Sequence, residues 1–253
     1  MPHLARICRY PVKGMSVEDL DRVALTPGET LPDDRRFAIA RGSAGIDPTE
    51  PEWVPRDNFV TLVRTAKLAQ LTTRYDSGTG VLTIYRGKRQ VAKGNVTDPT
   101  GRTVIDQFLA AFLAEEVNRT PKLIDGGRIS MTDDCDPTVS IINLASVRDI
   151  ERVAGHPVHP DRFRGNLLIE GLEPWVERAW LNQEIRIGDA RLTLVEPVER
   201  CGATNVNPET AERDASIPRL LQRGYAHMEC GMYGRVETGG AIHVNDTVLP
   251  PDV

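Results

Sequence analysis

Cys201 ends the extended stretch Arg191-Leu-Thr-Leu-Val-Glu-Pro-Val-Glu-Arg-Cys201 and opens the loop Gly-Ala-Thr-Asn-Val-Asn-Pro-Glu-Thr210. A thiol at the mouth of a strand, beside Arg200 and backed by Thr204 and Asn205, is placed to work as a thiolate. A nearby cation favours the charged form, which is the form that attacks or ligates metals. The plainer reading is a small buried apolar residue, as free cysteines commonly are. Cations stand at three other strand ends. Tyr10-Pro-Val-Lys13-Gly14 stiffens the chain and projects Lys13 from a fixed point, suited to an anion, while Gly14 allows close backbone approach. A solvated lysine is the alternative. In Asp33-Asp-Arg-Arg-Phe37, alternation puts Arg35 with Phe37 on the inward face, where it requires an anion: Asp34 or a ligand phosphate. In Asp161-Arg-Phe-Arg-Gly-Asn166, Arg164 and Asn166 share one side of an extended segment, a guanidinium and an amide that together read phosphate or a heterocycle edge.

Other chemistries find less support. His227-Met-Glu-Cys230 with Cys201, or His156-Pro-Val-His159, lacks the paired short spacings of a structural zinc site. There is no G-x-S-x-G elbow for a serine hydrolase. There is neither a βαβ rhythm nor a G-x-G-x-x-G, so a nicotinamide-binding fold is not expected.

Short strands must position these residues. Segments 3–10, 36–41, 69–75, 81–85, 139–142, 166–170, 184–187, 191–195 and 241–244 are β-branched or alternating. Asp76-Ser-Gly-Thr-Gly80 reads as a hairpin loop, and Gly188-Asp189 and Gly239-Gly240 as similar turns. Three helices are predicted. The first covers 103–116, with Thr103 and Asp106 as a capping box and Val104, Ile105, Phe108, Leu109, Phe112 and Leu113 as its apolar face. The second starts at Ser146, and the third follows Ser216 with Pro218 in its first turn. Residues 42–58 read as a long surface loop.

A chain of 253 residues holds one large domain or two small ones. A net charge of −5 and 5% aromatic residues give no field or stacking surface for nucleic acid. No stretch approaches the ~20 apolar residues of a membrane helix, and the N-terminus reads as a strand rather than a signal peptide. Four scattered cysteines form no disulfide framework, so a reduced, cytoplasmic protein is expected.

In chain order, Tyr10-Pro-Val-Lys13, Asp34-Arg35, Arg162-Phe-Arg-Gly-Asn166, Trp180, Ile187-Gly-Asp189, Arg200-Cys201, Asn207-Pro-Glu-Thr210 and Gly231-Met-Tyr-Gly234 resemble the MOSC family, the molybdenum cofactor sulfurase C-terminal domain, with its N-terminal companion. Within that family the likeness is to the amidoxime-reducing components and their bacterial relatives. The resemblance implies a mainly β protein with a few helices: an α+β, β-barrel-like companion domain over 1–118 and a MOSC β-barrel over 119–253, with the site between them. It implies a molybdopterin-type cofactor, with Cys201 as the thiolate ligand of molybdenum at the catalytic centre. Lys13, Arg35, Arg164 and Asn166 fall where the family holds pterin and phosphate, and Thr138, Ser146 and Thr204 lie near the same site. The family often has serine where this chain has Gly14. The C-x4-C-x2-C spacing of a ferredoxin domain is absent, so electrons for reducing an N-hydroxylated small molecule are expected from a separate protein of ferredoxin, flavodoxin or cytochrome type. Two other functions fit the same residues: cofactor carriage or storage without turnover, and sulfur transfer through a Cys201 persulfide.

Overall fold

A computed structural model describes residues 1–42, 44–47 and 51–251, so part of the expected 42–58 loop (43 and 48–50) lies outside the described residues. The chain opens with β1 (His3–Arg9), β2 (Glu18–Leu20), β3 (Arg22–Leu25) and β4 (Phe37–Ala40). A three-stranded unit follows, β5 (Leu71–Asp76), β6 (Val81–Arg86) and β7 (Arg89–Asn95), then α1 (Pro99–Phe112) and β8 (Lys122–Asp125). Next come β9 (Val139–Asn143), α2 (Leu144–Ala154), β10 (Leu167–Glu170), β11 (Glu184–Ile187) and β12 (Ala190–Glu199). The chain finishes with α3 (Ile217–Tyr225), β13 (Glu229–Thr238), β14 (Gly240–His243) and β15 (Val248–Leu249).

The fold is mainly β with three helices among the described residues, as the resemblance implies. Eight strands form the main sheet in the order β15-β11-β12-β13-β9-β10-β1-β2. Its ladders do not close into a ring. One bridge, His3 to Thr247, with the bond from Leu4 N–H to the Asp246 carbonyl (2.9 Å), draws the β15 end against β1, so the word barrel applies only loosely. Because β1 pairs β10 antiparallel and β3 pairs β14, hydrogen bonding crosses the 118/119 position.

One expectation is corrected by the sheet. β9 and β10 run parallel, joined through α2, so the chain contains one βαβ unit. All five residues of β9 are buried, as expected for a parallel strand covered on both faces. Its sequence, Val-Ser-Ile-Ile-Asn, shows a short apolar run but not the crossover.

Local rules account for several elements. β5 alternates buried Leu71, Thr73 and Tyr75 with exposed Thr72, Arg74 and Asp76. The Asp76–Gly80 hairpin forms as expected, with the Asp76 carboxylate accepting from Gly78 N–H at 2.9 Å. α3 begins after Ser216 with Pro218 in its first turn. α1 begins earlier than expected, at Pro99, capped by Asp98, which accepts from Thr100 N–H at 2.8 Å. Proline suits that first helical position. Asp106 instead accepts from Leu123 N–H and so pins β8, while Val104 is exposed. α2 likewise starts two residues before Ser146, with Asn143 as its cap.

Two large apolar clusters result. One fills the main sheet, from Leu4 and Ile7 through Ile141, Leu192 and Met232 to Val248. The other joins Val12 and Phe37 to Leu71, Leu82, Ile105 and Leu109. Between them, loops at the strand ends meet in a cleft. Among the described residues no helix is long and apolar enough to cross a membrane.

Candidate functional site

The cleft, of about 140 Å³, is lined by seven of the eight residues singled out above: Lys13, Arg35, Thr138, Arg164, Asn166, Cys201 and Thr204. Tyr10-Pro-Val-Lys13 leaves β1 and is clamped to the start of β4, with Lys13 N–H donating to the Phe37 carbonyl (2.7 Å) and Phe37 N–H to that of Pro11 (2.9 Å). The Lys13 side chain is buried. Its ammonium donates to the Met131 carbonyl (2.7 Å) and pairs with Asp133 (2.6 Å). Burial lowers the Lys13 pKa, against the pull of Asp133. Gly14 has φ +81°, and a Cβ there would meet Leu68 at 3.2 Å, so its glycine serves the backbone turn and close packing against the protein itself.

Arg35 is not on the alternating face of a strand. It sits in a left-handed turn (φ 49°) before β4, with its N–H donating to the Tyr10 carbonyl. Its guanidinium pairs with buried Asp34 and donates to the Arg164 carbonyl at 2.7 Å. Arg164 also turns left-handed (φ 51°), because a 3-10 turn over Pro160–Phe163 replaces the expected extended segment. Gly165 follows, where a Cβ would lie 2.2 Å from Ile142.

Arg164 is the outlier of the site. Its Nη1 donates to the Met15 carbonyl (2.7 Å), while Nη2 is buried with no partner. No carboxylate pairs with it among the described residues. The guanidinium carbons of Arg164 and Arg35 lie 4.3 and 4.4 Å from the Tyr10 ring centroid. Burial first, and Arg35 next, pushes the Arg164 pKa down to about 10. A buried, uncompensated guanidinium calls for an anion.

Asn166 bridges strands. Its carboxamide oxygen accepts from Ser140 N–H (3.1 Å) and hydroxyl (2.8 Å), and its Nδ2 donates to the Cys8 carbonyl. It thus ties β9 to β1 beneath the cleft and keeps one N–H in reserve.

Cys201 is half-buried and leads into a 3-10 turn over Gly202–Asn205. Thr204 folds that turn back, its N–H and hydroxyl both donating to the Cys201 carbonyl (3.1 and 2.9 Å). Arg200 donates inward to the carbonyls of Cys230 (2.8 Å, Nε) and Phe163 (2.7 Å), and burial lowers its pKa. Cys8 and Cys230 are buried thiols. Burial pushes Cys8 and Cys230 up to about 12, which leaves them protonated.

Arg162 emerges from the structure as part of the site. It is buried, pairs with Asp214 (2.6 Å) and donates to the carbonyls of Asn205 (3.2 Å) and Thr204 (3.4 Å). It therefore holds the turn that presents Cys201. Its two-residue spacing from Arg164 was the available signal.

Ser146 stands apart from the cleft. It lies in the first turn of α2, fully buried, donating to Glu177 (2.8 Å) and accepting from Trp175 N–H. Glu177 also accepts from Asn143 (2.7 Å), and burial raises its pKa against these bonds. Glu177→Ala would strand both donors and should lower stability by about 3 kcal/mol. Urea denaturation measures this, and a loss near zero would mean water replaces the carboxylate.

A second cavity, about 290 Å³, adjoins the cleft and shares Gly14, Arg162, Arg164 and Ala203 with it. Its walls include Met15, Val17, Leu62, Leu71 and Val206. Fold and site together define a β protein with a cationic, anion-seeking cleft beside one accessible thiol.

The chain belongs to the MOSC-domain family: the MOSC domain matches residues 125–249 and the MOSC N-terminal beta barrel domain residues 1–116. Mitochondrial amidoxime reducing component 2 of Rattus norvegicus is 30% identical over 127 residues, 46% of this chain and 37% of that protein. Molybdenum cofactor sulfurase of Caenorhabditis elegans is 23% identical over 245 residues, 92% of this chain and 33% of that protein. The matches thus cover about a third of these relatives. Among solved structures, the YuaD protein of Bacillus subtilis aligns with a TM-score of 0.45 at 13% identity, covering 98% of this chain and 94% of that one.

Proposed function

We propose that this chain binds a molybdopterin-type cofactor and serves as an oxidoreductase that reduces N-hydroxylated small molecules, taking electrons from a separate donor protein of ferredoxin, flavodoxin or cytochrome type. The observation that carries the cofactor reading is Arg164, a buried cation with an unpartnered Nη2 in the same cleft as a half-buried thiol. A group with an anionic phosphate and a thiophilic metal would satisfy both, and the adjoining cavity offers room for its organic body. Family membership and relatives named for amidoxime reduction and for molybdenum cofactor sulfuration support a molybdenum-related role.

In this reading Arg164 and Lys13 hold the phosphate, Arg35 braces Arg164 through its carbonyl, and Cys201 ligates the metal. Bound there, molybdenum would supply a redox centre able to accept oxygen from a substrate. Arg162 and Thr204 fix the direction of the thiol, and the Tyr10 ring shields the guanidinium groups from water.

The test is metal analysis and pterin fluorescence on protein from a molybdate-replete host. Wild type should carry both, and Cys201→Ala should retain at least about tenfold less molybdenum. Reduction of an amidoxime by wild type with an artificial electron donor, lost in Cys201→Ala, would support turnover. Bound cofactor without reduction would favour carriage. A sulfur adduct on Cys201 without molybdenum, seen by mass spectrometry, would replace the reading with sulfur transfer, to which the long match with molybdenum cofactor sulfurase gives some weight.

A further inference from the structure

Asp133 carries a charge that the cofactor reading leaves unused. One carboxylate oxygen lies 2.6 Å from the buried Lys13 ammonium inside the cleft, and the other lies 3.4 Å from Arg56 outside it. The Asp133 side chain is about half exposed and sits in the loop joining β8 to β9. That loop is tied to the preceding surface segment, since Trp53 donates to the Thr132 carbonyl at 3.3 Å. Asp133 therefore bridges an inner and an outer cation and can release one while keeping the other.

Charge in the cleft makes the bridge consequential. Five cations face the space or line it: Lys13, Arg35, Arg162, Arg164 and Arg200. Against them stand Asp34, paired to Arg35, Asp214, paired to Arg162, Asp133, and the exposed Glu199 at the rim. One positive charge is left over with Asp133 on Lys13. If Asp133 is held by Arg56 alone, two are left, matching a phosphate monoester dianion.

We propose that Asp133 is a displaceable counter-ion that occupies Lys13 in the empty cleft and yields to Arg56 when a dianionic phosphate enters, so that the charge open to a ligand rises only when a dianion is there to meet it. The inference rests on the anion-binding reading of the cleft and adds to it the residue that sets its charge requirement. No residue need travel far, because both partners are already within reach of the same carboxylate.

Calorimetry on the full chain, expressed in a host unable to make pterin cofactors, tests this at pH 8 with phenyl phosphate as dianion and dimethyl phosphate as monoanion. Asp133→Asn should tighten phenyl phosphate binding by about tenfold while leaving dimethyl phosphate unchanged. Arg56→Ala should weaken phenyl phosphate in the wild-type background and have no effect in Asp133→Asn. A merely structural role for Arg56 would weaken binding in both backgrounds and would overturn the hand-over. Equal phenyl phosphate affinity in wild type and Asp133→Asn would overturn the proposal while leaving the anion cleft standing. Equal gains for both esters would show that any anion displaces Asp133 and would overturn the requirement for a dianion. Binding of neither ester to either protein would overturn the proposal and the anion reading together.

Discussion

Arg164→Met should abolish tight anion binding and at the same time make the protein more stable. The guanidinium is buried, lacks a carboxylate partner, and keeps one nitrogen without any hydrogen bond. With a pKa pushed down to about 10, the unfolded chain holds this proton more firmly than the folded one. The charged form thus weighs against folding at every pH below about 10, and the handicap fades as pH rises from there into the ordinary arginine range. A depression of that size corresponds to about 3 kcal/mol. Methionine forfeits the bond to Met15 and the contact with Tyr10, together worth about 1 to 2 kcal/mol. A net gain of about 1 kcal/mol at neutral pH is expected, against a loss of about a hundredfold in affinity for a phosphate monoester. Denaturant titration and calorimetry read the two effects separately. Lower stability with unchanged affinity would show that Arg164 is a structural cation.

Arg162→Ala should act in the opposite sense on stability. Arg162 is paired to Asp214 and caps the carbonyls of Thr204 and Asn205, so its removal leaves two acceptors without their donor around the turn that carries Cys201, while Asp214 keeps its bond from Asn207. Because Asp214 is partly exposed and the main loss is the hydrogen bonds to the two carbonyls, the cost is about 1 to 3 kcal/mol. Arg162→Lys can reach Asp214 but cannot span the turn as well, because it lacks the planar fork. Lysine should therefore recover part of the stability without restoring the thiol's presentation. The rate of Cys201 alkylation by iodoacetamide distinguishes these: it should rise several-fold in both variants if Arg162 positions the turn, and remain at the wild-type rate in the lysine variant if charge alone matters.

The site was legible where residue type and local rule coincide. Lys13 after Tyr-Pro-Val, and Cys201 at the end of a strand, are visible from chain order, and the alternation of β5 and the Ser216-Ile-Pro218 start of α3 follow local rules. Arg35 and Arg164 line the cleft, but left-handed turns at both positions place them there rather than alternation along extended strands. Which cations are neutralised depends on Asp34, Asp133 and Asp214, and only tertiary folding brings the last two to their partners. Ser146 was matched to the site by resemblance, yet its hydroxyl is taken up by Glu177, thirty-one positions along the chain. β13 escaped detection for a related reason. Its sequence, Glu-Cys-Gly-Met-Tyr-Gly-Arg-Val-Glu-Thr, carries two glycines and no clean alternation, and it becomes a strand because β12 and β9 pair with it on either side.

The pairing of β1 with β10, and the bridge from His3 to Thr247, has a consequence for the order of events during synthesis. During synthesis β1 waits unpaired on one edge until β10 is made, and its bridge to the β15 end forms only once β15 has been made. Contacts so distant in sequence are slow to form and leave an edge exposed meanwhile. Lys13 and Cys201 therefore come to line one cleft only after every strand between them has been made, so a ligand of the cleft is captured by the assembled sheet rather than serving as a template for β1.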